Sequence, residues 1–142
     1  MRLVGTNNSL PNEGRVEILL NEEWGTICDD LFDINDAHVI CRLLGYSKAY
    51  AAIIHAQFGQ GTGKIWFDDL RCHGNETSLF SCPHGGIGVH NCGHYEDVGV
   101  ICQPTQSVSQ LEGNAFKLLT IIRIITKVMI LIKERRSRLK WE

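Results

Sequence analysis

The sequence lacks the short motifs that mark the common hydrolases and nucleotide-dependent enzymes. It contains no GxSxG nucleophile turn, no HExxH metal motif and no glycine-rich phosphate-binding loop. Paired carboxylates are present, but without a predicted cleft they are weak support for acid–base catalysis. A cysteine nucleophile would need a free thiol, and an even set of six cysteines favours disulfides instead. We therefore predict that this chain is not an enzyme.

Positive charge is scarce in the first 115 residues, which hold 6 lysine and arginine residues against 14 acidic ones. A nucleic-acid-binding domain needs basic side chains to displace counterions from phosphates, so the body is not expected to bind nucleic acid. The balance reverses from residue 116 to residue 142, where 8 basic residues face 2 acidic ones. The net charge of −2 thus combines an acidic body with a basic tail.

A signal peptide is also missing, because the opening MRLVGTNNSLPNEG has neither an apolar core nor a cleavage site. Six cysteines within the body nevertheless predict three disulfides and an oxidising compartment. Sequons at Asn7 and Asn75 fit a secreted, glycosylated surface. We therefore expect a fragment of a larger extracellular or cell-surface protein. The alternative is an intracellular chain whose thiols stay reduced.

Residue patterns predict one helix and four short strands in the body. Asp33 is a suitable N-cap for a helix over residues 34–44, with Asp36 at the third helical position and Gly45 after its end. A single helical turn is expected within Thr77–Cys82. The predicted strands, of which the first two form a hairpin, are Arg15–Leu20, Trp24–Cys28, Lys64–Phe67 and Val98–Cys102. The fold class is α+β.

The chain beyond residue 103 divides into a polar linker, residues 104–115, and a basic amphipathic tail, residues 116–142. Thr120, Arg123 and Lys127 form one polar stripe on an otherwise aliphatic helix. A spanning helix needs about 20 apolar residues, and each central cation would cost about 2.5–3.5 kcal/mol on insertion. We favour an interfacial helix that contacts a membrane through residues 116–138. A truncated anchor and a tail without selected function are the alternatives.

Five stretches of the body carry a family resemblance: WGTICDD (24–30), VICRLLGY (39–46), IWFDDLRC (65–72), LFSC (79–82) and HNCGHYEDVGVIC (90–102). On these stretches, residues 1–103 resemble a scavenger receptor cysteine-rich domain. Tyr46 stands where the eight-cysteine form of that family has a cysteine, so the resemblance is to the six-cysteine form. The resemblance implies a curved, mostly antiparallel sheet that cradles one α-helix, and the disulfides Cys28–Cys92, Cys41–Cys102 and Cys72–Cys82.

The same resemblance implies a cation site. Family members bind a cation through an Asp-Asp pair and a glutamate. Asp68 and Asp69 match the pair, Glu96 matches the glutamate, and Asn91 resembles a ligand of a second site. Clustered oxygen ligands suit Ca²⁺. Asp97 is predicted to be a structural hydrogen-bonding residue. The alternative is that Asp68 and Asp69 are solvated turn residues.

A zinc site is a weaker interpretation of the same region. The spacings Cys82-x-His84 and His90-x-Cys92-x-His94 offer sulfur and nitrogen ligands in a reducing compartment. They include no paired CxxC knuckle, and they leave the other cysteines without a role.

We predict an extracellular ligand-binding module of the scavenger-receptor type, in which Ca²⁺ assists the recognition of polyanionic or protein ligands. A bound divalent cation would invert the local field of an acidic domain, and Arg71 and His94 are candidate ligand-binding residues. The alternative is a structural or protein-docking module within a larger receptor or modular protease. One departure from the family leaves the ligand range open, because Gly85–Val89 replaces a stretch that usually contains tryptophan.

Overall fold

The computed structural model describes residues 1–104 and 108–138. The chain divides into two units, Met1–Thr105 and Gln106–Glu142. The first unit contains a six-stranded sheet and one α-helix, and the second contains one long helix.

The strands of the first unit form one sheet in the order β4-β6-β2-β3-β5, with β1 paired to β2 as well. Every described pairing is antiparallel except β3 with β5, which is parallel. The predicted α+β class with a mostly antiparallel sheet is therefore confirmed. The strand bounds are β1 (Arg2–Val4), β2 (Glu13–Leu20), β3 (Glu23–Ile27), β4 (Ala49–Ile53), β5 (Lys64–Phe67) and β6 (Gly99–Cys102).

The predicted hairpin is formed by β2 and β3. Its two turn residues, Asn21 and Glu22, have φ angles of +48° and +62°. Two successive residues with positive φ are typical of the tight turn whose twist matches that of paired strands. The turn brings Leu20 opposite Glu23 and thereby fixes the register of the hairpin.

The predicted helix is α1 (Ile34–Leu43), and its ends are those expected from the sequence. The Asp33 carboxylate accepts hydrogen bonds from the backbone of Asn35 and Asp36, and the Asp36 carboxylate accepts one from the backbone of Asp33. This reciprocal capping box satisfies donors that an uncapped helix would leave unpaired. Gly45 follows the helix at a φ of +94°, a conformation that suits glycine. The buried face of α1 packs against β4 and β6.

Asp36 is fully buried, and its carboxylate also accepts a 2.7 Å hydrogen bond from the backbone of Cys72. Burial, which outweighs the backbone hydrogen bonds, raises the pKa of Asp36 to about 6. A carboxyl whose pKa rises on folding stabilises the protein below its unfolded pKa of about 3.9, and this contribution disappears as the pH rises through the folded value. Relative to Asp36→Asn, the wild type should lose about 2 kcal/mol of unfolding free energy between pH 4 and pH 7. Urea denaturation of both proteins across this range measures the difference, and a difference that stays constant or grows with pH would contradict it.

The sequence patterns do not predict β1 and β4. The strand β4 reads AYAAI, and alanine has little preference for strands, so pairing with β6 must hold it in the sheet. The strand β1 is tied to β2 by an ion pair in which Arg2 donates to Glu17 at 2.7 Å. Burial opposes ionisation of Glu17, but hydrogen bonds from Arg2 and Arg15 outweigh it and lower the pKa of that carboxyl. Both strands thus depend on contacts across the sheet.

Three disulfides join the cysteines in the pairs that the family resemblance implies, and no cysteine is free. The zinc interpretation is therefore wrong, because disulfide sulfurs are not available as thiolate ligands. One bridge ties α1 to β6, one ties the end of β3 to a later loop, and one encloses the predicted single turn, which is a 3₁₀ helix at Leu79–Ser81. The pairs are Cys28–Cys92, Cys41–Cys102 and Cys72–Cys82.

The second unit contains α2 (Val108–Arg138), a helix of 31 residues. It begins inside the segment 104–115 that the sequence predicts as a linker. Glutamine, leucine, glutamate and alanine in residues 110–115 are good helix formers, which explains the earlier start. Residues 105–107 of the predicted linker and residues 139–142 of the predicted tail lie outside the described residues. No helix in the described part of the chain combines the length and the apolar character that crossing a membrane requires.

Candidate cation-binding site

Three carboxylates converge where β3 and β5 end. These strands are parallel neighbours, with Ile27 paired to Phe67, so their carboxyl ends lie at the same edge of the sheet. Asp30 follows the first strand, and Asp68 and Asp69 follow the second. One carboxylate oxygen from each aspartate lies within 4.8 Å of the others. We call this trio the acidic cluster.

Asp68 is the most firmly held member of the acidic cluster. It is 4% exposed, and its Oδ1 accepts a 2.7 Å hydrogen bond from the backbone of Asp69. Its Oδ2 accepts a longer hydrogen bond, at 3.4 Å, from the backbone of Asn91. Asp69 has a φ of +54°, a left-handed conformation that aspartate adopts more readily than most residues. Backbone hydrogen bonds therefore fix the position of the Asp68 carboxylate before any ligand arrives.

Glu96 lies on the other side of Asp30. Oxygen atoms of Glu96 and Asp30 lie within 4.8 Å of each other, beside the Cys28–Cys92 disulfide. The Glu96 carboxylate also accepts a 2.8 Å hydrogen bond from the backbone of Gly93. Among the residues described, Glu96 does not share such a group with Asp68 or Asp69. Asp30 therefore lies close both to Glu96 and to the pair Asp68 and Asp69.

Asn91 lies against the acidic cluster itself. With its amide nitrogen turned inward, the side chain donates to Asp30 Oδ2 at 3.3 Å and to Asp68 Oδ2 at 3.2 Å. Rotation of the same amide by half a turn would present its oxygen to a cation held between the carboxylates. The structure thus places Asn91 beside Asp30 and Asp68, and its part in a second cation site stays a prediction.

The cluster carries uncompensated negative charge. Within residues 1–104 and 108–138, no lysine, arginine or histidine forms an ion pair with Asp30, Asp68 or Asp69. Partial burial raises the pKa of Asp30, and the carboxylates of Asp68, Glu96, Asp29 and Asp69 raise it further by repulsion. A bound cation would relieve this repulsion directly.

The glycine-rich loop that departs from the family borders the acidic cluster. The backbone of Gly85 donates to the Asp68 carbonyl at 3.0 Å, and that of Gly88 donates to the Trp66 carbonyl at 2.9 Å. Gly88 has a φ of +72°, which a residue with a side chain would adopt only with strain. The loop exposes Ile87 and Val89, so two aliphatic side chains flank a negatively charged surface.

The two predicted ligand-binding residues have different surroundings. Arg71 is exposed, and in the described part of the chain its guanidinium has no hydrogen-bond or ion-pair partner. His94 has both ring nitrogens engaged inside the domain, one 3.0 Å from Asp97 Oδ2 and the other 3.0 Å from the Gly63 carbonyl. Asp97 is 1% exposed, in agreement with its predicted structural role. Arg71 is therefore available to a ligand, whereas His94 positions the segment around it.

The two sequons present their asparagines to solvent. Asn7 lies in a turn after β1, and Asn75 lies in the loop after Cys72. Both side chains are exposed, as attachment of a glycan requires. Their acceptor role stays a prediction.

Sequence reasoning missed Asp30. The signal that would have found it is the Cys28–Cys92 disulfide, since Asp30 is two residues from the first cysteine and Asn91 is one residue from the second. The parallel pairing of β3 with β5 also brings Asp30 close to Asp68 and Asp69, and no local sequence pattern predicts this pairing.

The fold and its site define a small disulfide-rich α+β module with an anchored acidic cluster and no free thiol. Residues 6–103 match the family described as the scavenger receptor cysteine-rich domain. The chain belongs to this family, and the domain is a non-catalytic module found in receptors and in lysyl oxidase homologues.

Similar proteins include a chicken protein named lysyl oxidase homolog 2, which is 51% identical over 102 residues covering 72% of this chain and 13% of that protein. Zebrafish lysyl oxidase homolog 2B is 44% identical over 138 residues, 97% of this chain and 17% of that protein. The third such domain of murine neurotrypsin is 49% identical, with a TM-score of 0.64, over 74% of this chain and 96% of that structure. The matched segment spans between 9% and 17% of the length of the curated relatives. Homologues that carry the domain are extracellular or cell-surface proteins.

Proposed function

We propose that residues 1–103 form an extracellular ligand-binding domain in which Ca²⁺, held by the acidic cluster, bridges to anionic groups of polyanionic or protein ligands. The observation that carries the proposal is the convergence of three carboxylates at one edge of the sheet with no cationic partner in the described part of the chain.

The donor chemistry of the cluster fits a hard divalent cation. Asp30, Asp68 and Asp69 supply carboxylate oxygens, and the amide of Asn91 supplies a neutral oxygen after rotation. Calcium prefers six to eight oxygen ligands and accepts irregular arrangements, so positions left open by the protein are available to water or to a ligand. Glu96, adjacent to Asp30, would add negative charge close to the cation.

A cation also removes the electrostatic obstacle to polyanion binding. An acidic body repels sulfates, phosphates and carboxylates, but a divalent ion in the cluster makes the local potential positive. Arg71, exposed and free of intramolecular partners in the described part of the chain, would add a second positive group for the ligand. The ligand would therefore contact the cation first and basic side chains second.

Calcium titration of the oxidised chain by isothermal calorimetry tests the site. We expect saturable binding, weakened at least about tenfold in Asp68→Asn and in Asp30→Asn, because each variant removes one of three charged ligands. Glu22→Gln removes the same charge from the exposed hairpin turn and should leave the affinity unchanged. Absence of binding, or equal binding in the cluster variants, would rule out the assignment.

Retention on immobilised heparin tests the link between the cation and the ligand. Heparin, a sulfated polyanion, should be bound in calcium and released by EDTA, and Asp68→Asn should not be retained in either buffer. The exposed Ile87 and Val89 beside the cluster favour a protein ligand as the second candidate function. Cation-independent binding to a protein partner, without heparin retention, would favour that docking role over calcium bridging.

We further propose that the domain acts within a larger extracellular or cell-surface protein and that Asn7 and Asn75 carry glycans there. The lengths of the matched relatives support a multidomain setting, and the exposure of both asparagines supports modification.

A further inference from the structure

The longest uncovered apolar surface in the described part of the chain lies on α2. Eight apolar residues on one half of this helix are between 48% and 66% exposed. At 3.6 residues per turn they form one continuous face. Contiguous apolar surface of this extent marks an interaction site in most proteins. We call it the apolar face, and its members are Leu118, Ile121, Ile122, Ile124, Ile125, Val128, Met129 and Ile132.

The cations of α2 lie in a narrow stripe opposite the apolar face and at the two ends of that face, and the opposite half also exposes Leu119, Ile130 and Leu131. Between residues 118 and 132 the only charged side chains are Arg123 and Lys127, and helical spacing places both on the opposite half of the helix. Further cations stand at the two ends, at Lys117 and in the group Lys133, Arg135 and Arg136. Residues 117–136 thus carry six cations and one acid, Glu134.

We propose that α2 lies in the surface of an anionic lipid bilayer, with the apolar face in the acyl-chain boundary and the cations among the lipid phosphates. Charge complementarity selects this occupant over a second copy of the helix. Lys117, Arg135 and Arg136 lie along the two ends of the apolar face, so two copies packed through this face would bring these cations together. Anionic headgroups neutralise the same cations. No described helix is suited to crossing a membrane. An apolar helix with a polar stripe that contains Arg123 and Lys127, and with further cations at both ends of its apolar face, suits the interface instead.

The amino-acid composition of α2 leads to a second expectation, which concerns its helicity. Seven isoleucine and valine residues lie between positions 121 and 132, and β-branched residues have low intrinsic helix propensity. A helix of this composition gains most of its stability from a partner that covers its apolar side. Addition of anionic vesicles should therefore increase the helical circular dichroism of the full chain.

Vesicle flotation of the full chain, in EDTA throughout, tests the proposal. The chain should float with phosphatidylcholine vesicles that contain phosphatidylserine, less with phosphatidylcholine alone, and less again at high salt. Ile125→Asp, at the centre of the apolar face, should weaken partitioning at least about tenfold. Thr120→Asp adds the same charge on the opposite half of the helix and should weaken it much less.

The outcomes separate this proposal from the calcium site. Flotation in EDTA that persists in Asp68→Asn supports the helix, because the acidic cluster cannot contribute under those conditions. Failure to float in EDTA overturns the proposal, as does an equal loss in Ile125→Asp and Thr120→Asp. Concentration-dependent self-association in the ultracentrifuge without vesicle binding also overturns it, in favour of a second copy as the occupant.

Discussion

Replacing Cys41 and Cys102 together by alanine is expected to lower the free energy of unfolding by about 4 kcal/mol. The bridge closes a loop with a sequence separation of 61, and both cysteines are completely buried where α1 meets β6. Without the cross-link, the unfolded chain gains the conformational freedom of that loop. Replacing both partners leaves no free thiol that would confuse the measurement. Urea denaturation of the wild type and the double variant gives the difference.

The Cys72–Cys82 pair is the matched control for this prediction. Its sequence separation is 10, so the same loop-closure argument gives a loss of about 3 kcal/mol when both cysteines are replaced by alanine. The long bridge should therefore contribute more than the short one. A larger loss from the short bridge, or a loss below about 1 kcal/mol from the long one, would contradict the unfolded-state explanation.

Asp97→Asn should cost about 3 kcal/mol of unfolding free energy, although the two side chains have nearly the same shape. The Asp97 carboxylate accepts 2.7 Å hydrogen bonds from the Thr26 hydroxyl and from the backbone of Gly61, and His94 lies 3.0 Å from it. An asparagine replaces one acceptor oxygen with a donor group. If the new amide nitrogen faces Gly61, two N–H donors oppose each other; if it faces Thr26, the hydroxyl must turn its proton away and lose its present acceptor.

Asp69→Asn provides the comparison for Asp97→Asn. It makes the same chemical change in a half-buried carboxylate of the acidic cluster, where removal of charge reduces repulsion. Its stability should be unchanged or slightly higher when measured by thermal denaturation in EDTA. If Asp97→Asn and Asp69→Asn had equal effects on stability, the separation of structural from ligand-binding carboxylates would be wrong.

The structural carboxylates and those of the acidic cluster differ in burial and in hydrogen bonding. The carboxylates of Asp36 and Asp97 are buried and receive backbone hydrogen bonds that hold distant segments together. Asp30 and Asp69 lie nearer the surface and repel one another with nothing to balance them among the described residues. Carboxyl groups that accept backbone hydrogen bonds in the interior hold the fold together, whereas the half-buried carboxylates without such partners are available to bind a cation.

Local chemistry determined much of the fold. The capping residues of α1, the glycine after it and the tight turn between β2 and β3 were predicted from the sequence, because each depends on a few adjacent residues. The disulfide pairing followed from the family resemblance, since six cysteines alone allow fifteen pairings. The acidic character of the body and the basic, apolar character of the tail were likewise evident from composition.

Tertiary structure decided the rest. The parallel pairing of β3 with β5 brings Asp30 to Asp68 and Asp69, and strand partners far apart in the chain cannot be deduced from either strand alone. The alanine-rich β4 is a strand only because β6 lies beside it. The sequence alone shows which residue types could bind a cation and that some of them lie close to cysteines. The pairing of strands in the sheet brings carboxylates from separate segments together at one edge.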